Sequence, residues 1–440
     1  ETYVLRLFLS VLPSLAFLLL FGRFLRGFVP DRRGWILVML GLAAGSMFFT
    51  YGLLLYGHQQ AGLSLFGAFM AFFANRRRAR DSAVLLAAGG LLLGLAVSCE
   101  YQSVFSATVI GLYGLSVMRR RVIGVLWVAA GAVGPMVLTM IYHKEAFGSV
   151  FATGHDFLEN ATYRGYQKHG YKGMFVYSWK GLFGTLLSPR NGLFFYSPWL
   201  AFFAPGLYAM FRRPELRREA LCVGFAVLAY VAFICGMFAW KGGWSVGPRY
   251  LDAIVPFMAF GVAVFLGSPE GRRGLPRALL AALLVPSVLM YGLSTAWYPH
   301  FPEDISNPFF EFILPLIGTG RVPWTLGGFL GLKGIAAMLP FLSVLVMFVS
   351  AIVWAGASRP DRRTPPPGRA TAAILIVVMS IAGMWALSGP RTDNPATVKA
   401  GLDLAKKVWE PKPPPEKTSI PLRPGLRSAT GGRRSSGHPR

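Results

Sequence analysis

The stretch Trp240–Asp252, WKGGWSVGPRYLD, collects residue types that can hold an anion. Lys241 and Arg249 lie in a polar break between two apolar runs, flanked by Trp240, Trp244 and Tyr250. A guanidinium offers a planar fork of donors that matches phosphate oxygens, and a lysine adds a compact charge. Gly242, Gly243 and Gly247 let the backbone turn tightly and approach a ligand, and Pro248 stiffens the exit into the next run. Trp and Tyr at a membrane boundary also form an interfacial belt, with cations as helix-end anchors, so the loop fits both roles.

Other polar groups recur at the ends of apolar runs. His58 and Gln59 stand in YGHQQ, and Glu100 and Tyr101 in the tight turn CEYQ. A carboxylate or imidazole at such a depth faces a wet cavity or pairs with a partner; each is also compatible with a plain solvated turn. Asp252 closes the Trp240 loop, either as a polar contact to a ligand or as the group that holds Arg249 in place. The segment after residue 143 brings His155 and Asp156, then YRGYQKHGYKG, whose tyrosines and cations suit sugars and phosphates or an anionic lipid surface. Arg190, in LLSPRNGLFFYSPW, points at the same outer cavity as Arg249 or serves as an interfacial anchor. His155 and Asp156 are adjacent rather than a helical turn apart, so no metal site is indicated.

The elements that must position these residues follow from composition. The 440-residue chain is 54% hydrophobic and 14% charged, with a mean hydropathy of +0.49. A soluble chain would carry about 25% charged residues. Its apolar runs have the length that crosses a bilayer. The expected fold is all-α, a polytopic transmembrane bundle of about twelve spans, at 4–22, 35–56, 60–75, 82–98, 103–118, 122–142, 193–211, 219–239, 251–267, 278–297, 335–356 and 371–388. The net charge of +25 raises the question of nucleic acid. Its distribution argues against that, because every second connection carries the arginines: Arg23 to Arg33, Arg76 to Arg80, Arg119 to Arg121, Arg212 to Arg218, Arg272 to Arg277, and Arg359 to Arg369. These connections are expected on the cytoplasmic side, which puts the polar loops, Glu1 and the C-terminus on the outer side.

The transmembrane domain is thus expected over 1–388, with long outer loops at 143–192 and 298–333. Within the second loop, Asn307-Pro308 opens the apolar piece FFEFILPLIG, too short to cross, and Glu303 and Asp304 fit helix-start acids. The remainder, 389–440, is expected as an outer tail. Val398, Leu402, Ala405 and Trp409 recur at helical spacing, and Pro411 to Arg440 has the composition of disorder. Cys99, Cys222 and Cys235 make neither a disulfide framework nor a metal site. No phosphate-binding glycine motif for ATP is present. The chain begins at Glu1 without a basic region ahead of its first run, so that run is not a signal peptide and further sequence upstream is expected.

The segments LLYGHQQAGLSLFGAF, GLAVSCEYQSV, FATGHDFLEN, SPRNGLFFYSPWL and WKGGWSVGPRYLDAIVPF stand in order along the chain. In that order and common sidedness it resembles a bacterial member of the GT-C superfamily of polytopic membrane glycosyltransferases, of the dolichyl-phosphate-mannose protein mannosyltransferase-like, family 39-like kind. The resemblance implies a bacterial inner-membrane enzyme that takes a polyprenyl-phosphate sugar in the outer leaflet and passes the sugar to a glycan, lipid or protein acceptor. It also implies a catalytic acid in a first outer loop upstream of this sequence, so no residue here is assigned as the catalytic acid. Arg249, Lys241 and Arg190 are the expected donor-phosphate ligands, and His58, Gln59, Glu100, Tyr101, His155, Trp244 and Asp252 the expected cavity lining. No cofactor is identified; a divalent metal is compatible with such chemistry, but no residue cluster indicates one. The partners expected are the bilayer, the lipid donor and the acceptor, with no nucleic acid. A transporter or flippase of a lipid-linked saccharide would want charged residues at mid-span, and these spans hold few. A non-catalytic membrane subunit is the other alternative.

Overall fold

A backbone that crosses hydrocarbon must satisfy its own N–H and C=O groups, so apolar runs of this length fold as helices. The computed structural model describes residues 2–357, 369–389 and 395–409, and no strand occurs among the described residues. The principal helices are α1 (Thr2–Leu25), α2 (Arg32–Ala44), α3 (Met47–Leu53), α4 (Gly57–Arg76), α5 (Ala83–Cys99), α6 (Val104–Val117) and α7 (Arg121–Phe147). After the long loop come α8 (Trp179–Leu187), α9 (Pro198–Phe211), α10 (Pro214–Cys235), α11 (Arg249–Leu266) and α12 (Gly274–Trp297). The chain then forms α13 (Phe309–Gly318), α14 (Gly334–Gly356), α15 (Arg369–Leu387) and α16 (Pro395–Trp409).

Each of the twelve expected spans is occupied by helix. Among the described residues, six helices (α1, α7, α10, α11, α12 and α14) are long and apolar enough to cross a membrane, or seven if α2 and α3 form one broken span. The others fall short for local reasons. α5 has 17 residues, a rise of about 25 Å, less than the about 30 Å hydrocarbon layer. α4 is long enough but opens on the polar run His58-Gln59-Gln60. The 51° bend between α2 and α3 falls at Gly45-Ser46, the kind of pair where helices break. A side chain at 45 would meet Leu284 of α12 at 2.4 Å.

The connections sort into two ends. Arg76 binds the Glu219 carboxylate and donates to the Glu215 carbonyl at 2.9 Å. Asp81 accepts from the backbone N–H groups of Arg119 and Arg120, and Arg218 donates to the Ser116 carbonyl. Arg277 pairs with Asp31 at 2.7 Å, Arg33 lies over Trp354, and Phe28 meets Phe73. The arginine-rich connections of the described residues therefore share one end, as the alternation predicts. Arg359, Arg362 and Arg363, and the tail from Pro411, lie outside the described residues.

The core joining the ends is aromatic. Phe17, Phe21 and Phe24 recur every three or four residues on α1, Phe28 follows in the turn after it, and Phe66, Phe69 and Phe73 keep the same spacing on α4. Phe66 sits among Phe21 at 5.1 Å, Phe69 at 5.4 Å and Phe257 of α11 at 4.9 Å. On the flank, α5 and α7 approach so closely that a side chain at Gly90 would meet the Val128 carbonyl, and one at Gly131 the Ala87 carbonyl, both at 1.9 Å. Small residues are how membrane helices reach such contact. α13 is the short apolar piece expected after Pro308. Glu303 and Asp304 precede it in a turn and do not start it, because Asn307 and Pro308 intervene. α16 forms at the predicted amphipathic segment, and its Gly401 rests on Pro302, Ile305 and Phe312.

Candidate functional site

The end opposite the arginine clusters gathers the Trp240 loop, the α3–α4 turn, the α5–α6 turn and residues 298–304. Glu100 is where it must be because α4 begins with a glycine. A β-carbon at Gly57 would lie 2.6 Å from the Cys99 carbonyl oxygen and 2.8 Å from Glu100 Oε1. The helix start and the carboxylate thus share one space. His58, buried in the first turn of α4, brings Nδ1 to 2.9 Å from Glu100 Oε1. Its ring packs edge-on against Tyr250 at 5.1 Å and is parallel to Tyr56.

Arg249 stands next to this pair. Its Cζ lies 5.3 Å from the Tyr56 ring and 5.1 Å from the Tyr250 ring. The side chain is half-buried, its Nε is buried without a hydrogen-bond partner, and no carboxylate among the described residues forms an ion pair with it. Gly242 and Gly243, at φ of 74° and 69°, lie against its stem and its Nη2. Those left-handed conformations suit glycine, and they let the loop fold over the guanidinium. The Glu303 carboxylate also lies against Gly243, with Oε1 3.4 Å from where a β-carbon would stand.

The remaining expected residues divide. Asp252 is buried, and neither carboxylate oxygen has a partner, so it does not hold Arg249 in place. Arg190 is buried and donates from Nε to the Glu303 carbonyl at 2.8 Å and from Nη2 to the Gly243 carbonyl at 3.4 Å. It ties residue 303 to the glycine turn, and its position is that of a brace for the loop. Burial lowers its pKa from the usual arginine value, with Glu303 acting the other way. Lys241 and Trp244 are exposed at the rim. Gln59 turns away from the cluster, toward α1, where it donates to Ser14 Oγ at 2.9 Å. Tyr101 turns the other way and its hydroxyl meets His143 Nε2 at 2.7 Å, pinning the end of α7. His155 is exposed in the turn Gly154–Phe157, and no described contact joins it to the cluster.

Two further residues, Arg6 and His300, belong here. Arg6, in the second turn of α1, has a buried Nε without a partner. His300 lies near both Arg6 and Arg249: burial pushes its pKa below the usual histidine range and the two arginines push it the same way, against a backbone contact at Trp244. An arginine near the start of an otherwise apolar span was a signal in the sequence for Arg6. His300 carried none, because its role depends on how residues 298–304 fold back. Among the described residues no group of three His, Cys, Asp or Glu side chains is placed to hold a metal ion.

The Gly57 contact gives a first expected result. Gly57→Ala forces a β-carbon onto a backbone carbonyl that cannot yield, and should cost about 1–3 kcal/mol. Gly134→Ala, where nothing lies within 4 Å, should be neutral. Thermal unfolding of the two variants in detergent measures the difference, and equal midpoints would refute this packing. No protein-family model, curated protein or solved structure matches the chain.

Proposed function

We propose that this chain is a membrane glycosyltransferase of the GT-C kind, with the twelve-span topology read from the sequence. On this reading it transfers a sugar from a polyprenyl-phosphate donor to an acceptor on the outer face of a bacterial inner membrane. The observation that carries the reading is Arg249: a guanidinium walled by two tyrosines, lacking an anionic partner, at the end away from the arginine clusters. Such a group is matched to a phosphate oxygen, and a half-buried aromatic wall, which excludes part of the water, strengthens the interaction. Lys241 at the rim and Arg6 behind it add positive potential.

In the step proposed, the acceptor oxygen forms a bond to the anomeric carbon while the bond from that carbon to the phosphate oxygen breaks. The leaving phosphate takes the electron pair and Arg249 stabilises its charge. The acceptor proton goes to a base, and the His58–Glu100 pair is the acid–base couple beside the guanidinium. A groove of about 480 Å³, lined by Leu186, Leu193, Phe203, Leu207, Phe225 and Val231 among others, adds support for a lipid-linked donor. It is wholly apolar, it opens between α9 and α10, and Leu186 and Leu193 bracket Arg190 in sequence.

The test uses membranes with and without the full-length protein, supplied with labelled polyprenyl-phosphate hexoses. The expected result is label in a glycan, lipid or protein fraction that depends on the chain. Failure of every donor, together with no binding of polyprenyl phosphate to the purified chain, would overturn the proposal.

A further inference from the structure

The arginine-rich end holds a cavity of about 460 Å³ where residues 79–81 and the starts of α5 and α7 meet. Arg80, Arg119 and Arg120 line it together with Leu86, Ile123 and Trp127. Its one acidic lining residue, Asp81, is already engaged. Oδ2 accepts from the backbone N–H groups of Arg119 and Arg120 at 2.9 and 2.8 Å, and Oδ1 accepts from Asn75 Nδ2 at 3.0 Å. The carboxylate is spent on the chain itself, and no ion pair joins any of the three guanidinium groups to an acid among the described residues. All three arginines are exposed.

The order of residues along α7 identifies the ligand chemistry. Ile123, Gly124 and Trp127 share one face of α7, and Arg120 flanks the start of that helix. Trp127 lies about 9 Å along the axis from Arg121, the first residue of the helix. Charge sits at the membrane-boundary end of this stripe and apolar surface sits deeper; Trp127 is 44% exposed. A free phosphate would use only the guanidinium groups and leave the apolar wall wet. An amphiphile with an anionic head uses both. We infer that this cavity seats the head group and first chain segments of an anionic phospholipid from the leaflet on the arginine side. Basic pockets between membrane helices take such head groups. The site is separate from the Arg249 cluster and stands whether or not the chain transfers sugar.

The test compares phosphatidylglycerol with phosphatidylcholine on the full chain in detergent, by native mass spectrometry after delipidation. The wild type should retain phosphatidylglycerol preferentially. Arg80→Gln/Arg119→Gln/Arg120→Gln should weaken that retention about 100-fold, near a factor of five for each charge at the surface. Arg212→Gln/Arg213→Gln/Arg272→Gln removes as many charges from the same end, outside the cavity, and should weaken it far less. Equal losses in the two variants would reduce the effect to diffuse charge and overturn the site. So would equal retention of phosphatidylcholine, or full displacement by inorganic phosphate. Should the first variant fail to fold, a second measurement decides. Brominated phosphatidylglycerol should quench the fluorescence lost in Trp127→Phe more than brominated phosphatidylcholine does, and equal quenching would refute the assignment.

Discussion

On the proposed transfer reaction, Arg249→Ala should lower kcat/KM by about 100- to 1000-fold, the loss that follows removal of one donor aimed at developing transition-state charge, roughly 2.7–4 kcal/mol. The effect is large because the other cations of the cluster do not stand between Tyr56 and Tyr250, where Arg249 does. Arg190, the other loop arginine of this cluster, is held by the carbonyls of Glu303 and Gly243. Lys241 is exposed at the rim, where water weakens its field. Folding should change little, because Arg249 forms no ion pair among the described residues. Its contacts with Tyr56 and Tyr250 are worth about 0.5–1 kcal/mol each at such a partly wet site. Arg249→Lys keeps the charge and loses the fork, so it should recover part of the rate. Lys241→Ala should cost less than tenfold. Initial rates in proteoliposomes, normalised to protein that elutes as a single species, measure all three. Unchanged turnover in Arg249→Ala would remove this residue from the site.

The contrast between Arg249 and Arg190 marks how far the sequence could be read. Both are arginines beside glycine and aromatic residues in loops on the same side, and composition gives them one role. What separates them is long-range. Arg190 meets residues 53 and 113 positions away, and no local pattern encodes that. Gln59 and His58 show the same limit at shorter range. Adjacent residues on a helix point about 100° apart, so His58 turns to Glu100 while Gln59 turns to Ser14 of α1. The alternation of arginine-rich and polar connections was legible because it is a property of whole segments. The helical fold was legible for the same reason. Whether a given helix has the length of a full span was less so, since helix ends depend on features such as the Gly45-Ser46 break and the tight Cys99–Gly57 contact.

Arg76→Ala should be the most damaging change at the arginine-rich end, at about 3–5 kcal/mol, because it leaves a buried charge without its cation. Glu219 is fully buried in α10. Its Oε1 accepts from Arg76 and from the Tyr113 hydroxyl, and its Oε2 has no partner. Two other effects stabilise the carboxylate in wild type and variant alike. Glu219 lies in the first turn of the α-helical stretch Arg217–Cys235, where the helix end favours an anion by about 0.3–1 kcal/mol. The Tyr113 hydroxyl remains, worth about 1.5–3 kcal/mol as a bond to a charged group, but it is present before and after the change and so offsets nothing new. The lost cation therefore dominates. Arg76 also donates to the Glu215 carbonyl, so its loss frees the short turn that leads into α10. Glu219→Gln, which keeps an acceptor for Tyr113 and removes the charge, should be milder than Arg76→Ala. The double variant Arg76→Ala/Glu219→Gln should be more stable than Arg76→Ala alone, since the uncompensated charge is then gone. Thermal midpoints in detergent, with transfer rates followed in parallel, test this ordering. A double variant less stable than Arg76→Ala would mean that hydrogen bonding, and not the charge, is what Arg76 supplies at this junction.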